Sequence, residues 1–167
     1  MVEGDFARAT PAVAGNLLIL GNQSGKFLSP SLGRAAPQPA RVFAVDKNTG
    51  AEVWSTQVDE TQMSFVTSSA VVVNGTAIIG VASNEELVAA FVPPPYWRWQ
   101  FRGSAVGAGG KSGIFWAFRA KDGKLVWSYP SGGPCNAGPS IADGMVYWGS
   151  GTFISPGGPH KLYAFGL

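Results

Sequence analysis

The sequence predicts an all-β fold of repeated antiparallel strand pairs. Three observations predict it: a low charge content, abundant glycine and proline, and two hairpin motifs that alternate along the chain. Only 13% of the 167 residues are charged, against 23 Gly, 12 Pro, 6 Trp and 10 Phe. Low charge argues against a disordered tail, and frequent Gly and Pro argue against long helices. Many short strands joined by tight turns fit this balance.

The first motif occurs three times. It reads Thr10-Pro-Ala-Val-Ala-Gly-Asn-Leu-Leu-Ile-Leu-Gly21, then Ser69-Ala-Val-Val-Val-Asn-Gly-Thr-Ala-Ile-Ile-Gly80, then Gly138-Pro-Ser-Ile-Ala-Asp-Gly-Met-Val-Tyr-Trp-Gly149. In each copy a short apolar strand meets a two-residue turn, Gly15-Asn16, Asn74-Gly75 or Asp143-Gly144. A second apolar strand follows and ends at a glycine. Asn-Gly and Asp-Gly are strong hairpin signals, because both turn positions take φ > 0.

The second motif alternates with the first. Arg41-Val-Phe-Ala-Val-Asp-Lys-Asn-Thr-Gly50-Ala-Glu-Val-Trp54 matches Ile114-Phe-Trp-Ala-Phe-Arg-Ala-Lys-Asp-Gly123-Lys-Leu-Val-Trp127, and Lys161-Leu-Tyr-Ala-Phe165 is a partial third copy. Each full copy is strand, turn, strand, with Gly closing the turn and Trp four residues later. Joined in alternation, the two hairpin types give four strands per unit, which is a propeller blade. The expectation is therefore an all-β protein of β-propeller blades of four antiparallel strands. The chain holds about three blades, the last incomplete, in a single partial propeller domain over residues 1–167. Trp54 and Trp127 are expected to pack between neighbouring sheets, and Phe43, Trp116 and Tyr163 to be core aromatics at a matching strand position.

The repeat is irregular between Phe101 and Trp127. Ser104-Ala-Val-Gly-Ala-Gly-Gly-Lys-Ser-Gly113 reads as a worn turn motif, and a fresh copy starts at Ile114. The order is that of a chain from which several blades have been removed between Gly113 and Ile114, or of a piece of a larger ring. Blades of this kind take roughly 40–50 residues, and closed propellers need about four to eight.

Several functions are disfavoured at once. A net charge of +2 with no Lys/Arg cluster gives no footprint for nucleic acid. The lone Cys135 forms no internal disulfide, and with the lone His160 it leaves no Cys- or His-rich metal site and no Cys-His or Ser-His-Asp arrangement. No apolar run of 18 residues is present to span a membrane. The first residues, Met1 to Phe6, lack the basic and apolar regions of a secretory signal, so either the protein is made without one or the start of a precursor is missing. Ala105-Val-Gly-Ala-Gly-Gly-Lys-Ser112 fits a relaxed phosphate-loop pattern. The aromatic stretch after Gly113 has no helical period, and such a loop needs a helix to follow it. Asn22-Gln-Ser and Asn74-Gly-Thr match the glycosylation acceptor pattern, with Asn74 already explained by its turn.

The phrase Val42-Phe-Ala-Val-Asp-Lys-Asn-Thr-Gly50-Ala-Glu-Val-Trp54 resembles the quinoprotein blade motif, in which Ala-x-Asp-x-x-Thr-Gly-x-x-x-Trp recurs. Gly80-Val-Ala-Ser-Asn-Glu-Glu86, Phe101-Arg-Gly-Ser104 and Asn136-Ala-Gly-Pro-Ser140 with Tyr147-Trp-Gly-Ser-Gly151 are similar to segments of polyvinyl-alcohol dehydrogenase and related quinoproteins. The resemblance implies a calcium-bound quinone, PQQ, in the channel of the ring, accepting hydride from a small or polymeric alcohol. It implies that Glu85 or Glu86 binds the calcium, because in such proteins a Glu shortly before an Arg-Gly pair does so. Oxygen ligands suit this hard cation. Arg102 would pair with a quinone carboxylate through a bidentate fork, and Asn136 would be a further polar contact. A periplasmic or extracellular location is also implied. The chain departs from the family in having Arg98-Trp99 where many quinoproteins carry a vicinal cysteine pair, and the family's catalytic Asp is not placed. The alternative function is a non-catalytic propeller scaffold for a protein or glycan partner, as in outer-membrane assembly scaffolds. Open blade edges would allow self-association.

Overall fold

A computed structural model describes residues 9–22, 39–60, 64–83, 114–132, 137–151 and 160–166. Every regular element among these is a β-strand. They are β1 (Ala12–Ala14), β2 (Leu17–Gly21), β3 (Arg41–Asp46), β4 (Glu52–Gln57), β5 (Ser64–Phe65), β6 (Val71–Val73), β7 (Thr76–Gly80), β8 (Ala82–Ser83), β9 (Ile114–Arg119), β10 (Leu125–Pro130), β11 (Ser140–Ala142), β12 (Met145–Ser150) and β13 (Lys161–Gly166). They form antiparallel sheets in the order β1-β2-β3-β4, β6-β7-β9-β10 and β11-β12-β13, with β5 and β8 as a separate pair. These are two complete four-stranded blades and a third of three strands, as the alternating hairpins predict.

Blade 2 is composite. Its β6 and β7 precede the irregular segment, and its β9 and β10 follow it. Yet β7 meets β9 with Ile79 opposite Trp116 and Gly80 opposite Phe115, the register in which Leu20 meets Phe43 and Gly21 meets Val42 in blade 1. The interruption lies between strands and leaves their pairing intact. Ile114–Arg119 being a strand also removes the helix that a phosphate loop at 105–112 would need.

The turns follow their residues. Asn74 and Gly75 have φ of 47° and 74°, and Asp143 and Gly144 have 49° and 71°, the left-handed pair of a type I′ hairpin. At Gly15-Asn16 only the glycine has positive φ, 62°. This turn therefore departs from its two counterparts, because Gly leads it, as in type II′ hairpins.

Side chains alternate between the two faces of each blade. Ile19, Val42 and Ala44 of blade 1 meet Ala77, Ile79 and Phe118 of blade 2 in one buried cluster, with Trp54 and Trp116 packed against it. On the other face of blade 2, Ile78, Phe115 and Ala117 meet Val146 and Trp148 of blade 3, with Trp127, Tyr163 and Phe165 alongside. Phe115 and Trp148 stack at 4.0 Å between ring centroids. The expected core positions of Trp54, Trp127, Trp116 and Tyr163 are thus occupied as predicted. Phe43 differs. It is half-buried and belongs to neither buried cluster, because it lies on the face of blade 1 turned away from blade 2. Full burial of a large side chain at these junctions is worth about 1.5–3 kcal/mol.

Register divides the blades into two ends. At one end lie the tight turns: Leu17 pairs with Asp46, Thr76 with Arg119 and Met145 with Gly166. At the other, Gly21 pairs with Val42, Gly80 with Phe115 and Ser150 with Lys161. The segments 23–38, 84–113 and 152–159 each leave and rejoin the strands at this second end, as do the connections between blades. We call the two the hairpin end and the loop end.

Candidate functional site

Functional groups in β-rich folds are carried on connections held by a rigid scaffold, which directs attention to the loop end. The first strands of the blades converge there. The backbone N–H of Thr10 donates to Ser69 Oγ at 3.0 Å. A side chain at Gly138 would come within 2.9 Å of the Ser69 carbonyl oxygen. Thr10, Ser69 and Gly138 occupy the same repeat position, so glycine in the third copy is explained by this close approach.

Each blade is fastened at this end by polar groups removed from water. Asn22, 1% exposed, extends the β2–β3 pairing past its last residues. Its amide nitrogen donates to the Pro39 carbonyl at 3.0 Å, and its Oδ1 accepts from the Arg41 N–H at 2.6 Å. Its carbonyl accepts from the Val66 N–H at 2.8 Å, which ties blade 1 to the β5–β8 pair. Ser64 Oγ accepts from the Ala40 N–H at 2.8 Å. In blade 2, Ser68 Oγ donates to the Gly80 carbonyl at 3.0 Å and accepts from the Gly80 N–H at 2.8 Å. In blade 3, Ser150 Oγ donates to Ser131 Oγ at 3.2 Å, Tyr163 Oη donates to the Ser131 carbonyl, and Trp148 Nε1 donates to the Ala137 carbonyl at 2.7 Å. Buried polar groups of this kind cost free energy unless partnered. Their hydrogen bonds fix where the loop-end segments start and stop. Burial of Asn22 also removes it as a glycosylation acceptor.

The hairpin end is built differently. Asp46 Oδ1 accepts from the Asn48 and Thr49 N–H groups at 2.9 Å each and from Thr49 Oγ1 at 3.1 Å, while Asn16 Nδ2 donates to its other oxygen. Hydrogen bonds from the Thr49 and Asn48 backbone hold its carboxyl below the usual carboxylate range. Arg119 Nε donates to Asp122 Oδ1 at 2.8 Å and is the main cause of the same downward shift at Asp122. Asp122 serves its own turn, and Asp46 serves its own turn and is also tied to the Gly15-Asn16 turn through Asn16. Across the blade junction, Trp54 Nε1 donates to the Ala120 carbonyl and Thr56 Oγ1 to the Gly123 carbonyl, each at 2.9 Å.

The four residues singled out from sequence, Glu85, Glu86, Arg102 and Asn136, lie outside the described residues, as does Cys135. In sequence, residues 84–113 fall between β8 and β9, and residues 133–136 between Gly132 and Ala137; the described residues that flank them stand at the loop end. His160 is exposed at the start of β13. Among the described residues no three His, Cys, Asp or Glu side chains gather into a group able to hold a metal. Sequence reasoning missed the fastening roles of Asn22, Ser68 and Ser131. Asn22, Val81 and Ser150 share one repeat position after the strand-ending glycine, and three different side chains there leave no repeated signal.

Residues 40–152 match the family model described as outer membrane protein assembly factor BamB, a model of PQQ-type repeats. The chain belongs to this PQQ-type repeat family. Solved structures agree on the propeller fold. BamB from Moraxella catarrhalis is 16% identical with a TM-score of 0.53, over 97% of this chain and 34% of that one. The quinohemoprotein alcohol dehydrogenase ADHIIG from Pseudomonas putida HK5 is 16% identical with a TM-score of 0.52, over 84% of this chain and 20% of that one. The quinohemoprotein alcohol dehydrogenase from Comamonas testosteroni is 15% identical with a TM-score of 0.50, over 96% and 32%. The PQQ-type chain therefore spans about a third or less of the length of these proteins. No curated protein matches it. Among the described residues no helix is long and apolar enough to cross a membrane.

Proposed function

We propose that this PQQ-type chain is a blade segment of a quinone-dependent alcohol dehydrogenase, related to the polyvinyl-alcohol type, whose loop end contributes to a site for PQQ and calcium. One observation carries the reading. The segments bearing Glu85, Glu86, Arg102 and Asn136 all start and end at the loop end, where the first strands of the blades converge. In this reading Glu85 and Glu86 supply carboxylate oxygens to the calcium, Arg102 forks onto a quinone carboxylate, and Asn136 adds a polar contact. When bound, the quinone would accept hydride from a small or polymeric alcohol. The described residues have a positioning part: Ser68 and Ser131 pin the strands from which these segments depart. A periplasmic or extracellular location and a single propeller domain over residues 1–167 complete the proposal.

Calorimetric titration with PQQ, with and without calcium, tests it. Calcium-dependent binding that is lost in the Glu85→Gln/Glu86→Gln variant is the expected result. A folded sample that binds neither overturns it in favour of a second reading, a non-catalytic scaffold for a protein or glycan partner. The description of the matching family model as an assembly factor is what supports that second reading.

A further inference from the structure

Asn16, Asn22, Asn48 and Asn74 are the asparagines among the described residues, and the first three are held in place. Asn22 is buried and bonded through both atoms of its amide. Asn16 donates to Asp46 and accepts from Asn48, which engages both side chains. The backbone nitrogen that follows Asn48, that of Thr49, donates to Asp46 Oδ1 at 2.9 Å. Asn74 differs in each respect. It is exposed at the tip of the β6–β7 hairpin, has no side-chain hydrogen bond among the described residues, and is followed by glycine. Val73 pairs with Thr76 across the turn, so the central Gly75 N–H takes no part in the bonds that close it. A side chain at Gly75 would meet nothing within 4 Å, which leaves the tip open to water.

We propose that Asn74 is a site of self-modification, at which the Gly75 nitrogen attacks Asn74 Cγ and the residue converts to aspartate and isoaspartate. The new bond joins Gly75 N to Cγ. The Gly75 amide proton passes to hydroxide, and the side-chain nitrogen takes a proton from water and leaves as ammonia. Water then opens the cyclic imide. Attack at Cγ restores the ordinary backbone with aspartate, and attack at the backbone carbonyl leaves the chain routed through the side chain as isoaspartate. The turn is prepared for the closure. The imide suits the first central position of a type II′ turn, with φ of about +60° and ψ of about −120°. Asn74 already has φ of 47°, so rotating the single peptide before Gly75 reaches that shape, and glycine accepts the change. The Gly15-Asn16 turn, glycine-led with φ of 62°, shows that this repeat position accommodates such a turn. The two products act differently. Asp143-Gly144, with φ of 49° and 71°, shows that aspartate keeps the hairpin. Isoaspartate adds a methylene to the backbone of a two-residue turn and displaces the pairing of Val73 with Thr76. Ala120 lies directly behind: its N–H donates to the Gly75 carbonyl at 2.7 Å, and its carbonyl accepts from Trp54 Nε1 at 2.9 Å. Isoaspartate at 74 therefore loosens blade 2 and its junction with blade 1.

The test incubates the full chain at mildly alkaline pH beside the same chain unfolded in urea. Peptide mass spectrometry follows each asparagine, and enzymatic methyl labelling detects isoaspartate. In the folded chain Asn74 gains the mass of an amide-to-acid exchange, faster as pH rises, while Asn16 and Asn48 stay intact. Isoaspartate is the main product, and the aged sample melts at a lower temperature. Asn74→Gly, which keeps a Gly-Gly turn of the same type, loses this ageing effect, and Asn74→Asp melts like the wild type before ageing. A folded chain that keeps Asn74 intact for as long as the unfolded chain takes to convert it overturns the proposal, because the turn then protects its amide. So does conversion of Asn16 or Asn48 ahead of Asn74, or isoaspartate at 74 with an unchanged melting temperature.

Discussion

The two ends of the blades are made from the same repeat, yet they use their polar groups differently. At the hairpin end, the half-buried Asp46 and the exposed Asp122 close turns within their own blade. At the loop end, Asn22, Ser64, Ser68 and Ser131 are buried, and several of their hydrogen bonds join segments far apart in sequence. The difference shows that the carboxylates of the hairpin end mainly hold turns, with Trp54 and Thr56 adding the contacts across the blade junction, whereas the buried groups of the loop end tie the ends of strands to the segments beside them.

The largest expected effects sharpen what the ends share, namely close packing between neighbouring elements. A side chain at Gly21 would lie 2.2 Å from Val66 Cγ1. Gly21→Ala should therefore destabilise the chain by about 3 kcal/mol through overpacking, read from denaturant melts. Adding Val66→Ala should recover part of the loss. Gly123→Ala, at φ +67 and against Trp54, should cost a similar amount at the other end, about 3 kcal/mol.

Next comes the loop end alone. Asn22→Ala leaves the Arg41 N–H and the Pro39 carbonyl without their partner and should cost about 2 kcal/mol. A loss within error would mean that Asn22 does not fasten blade 1. At the hairpin end Gly50→Ala should cost only about 1 kcal/mol, from its positive φ. Equal losses at Gly50 and Gly123 would break the distinction between an open turn and one packed on its neighbour.

The smallest effect is the acid response of the hairpin end. The carboxyls of Asp46 and Asp122 are held below their ordinary range in the folded chain. Their contribution is present at neutral pH and is lost as pH falls below about 4 through the folded-state values. Asp46→Asn should flatten that acid limb of the stability profile slightly, in melts recorded across pH.

Much of the fold was legible because its signals are local and repeated. Asn74-Gly75 and Asp143-Gly144 announce their hairpins, and Trp54 and Trp127 mark the blade junctions. Gly15-Asn16 shows the limit: reversing the dipeptide keeps the hairpin but changes the turn. The β5–β8 pair was not readable, since two-residue strands carry no period. The candidate site was legible only through resemblance. Glu85, Glu86, Arg102 and Asn136 belong to connections that the repeat does not specify, and Asn22, Ser68 and Ser131 do not recur from blade to blade.

The most direct test sets one end against the other. PQQ and calcium would be titrated calorimetrically into the Glu85→Gln/Glu86→Gln variant and into an Asp46→Asn/Asp122→Asn variant, with a thermal melt of each. The loop-end variant should lose calcium-dependent binding at an unchanged melting temperature, and the hairpin-end variant should melt lower while binding normally. Binding that persists in the first variant, or disappears in the second, would contradict the assignment of function to the loop end.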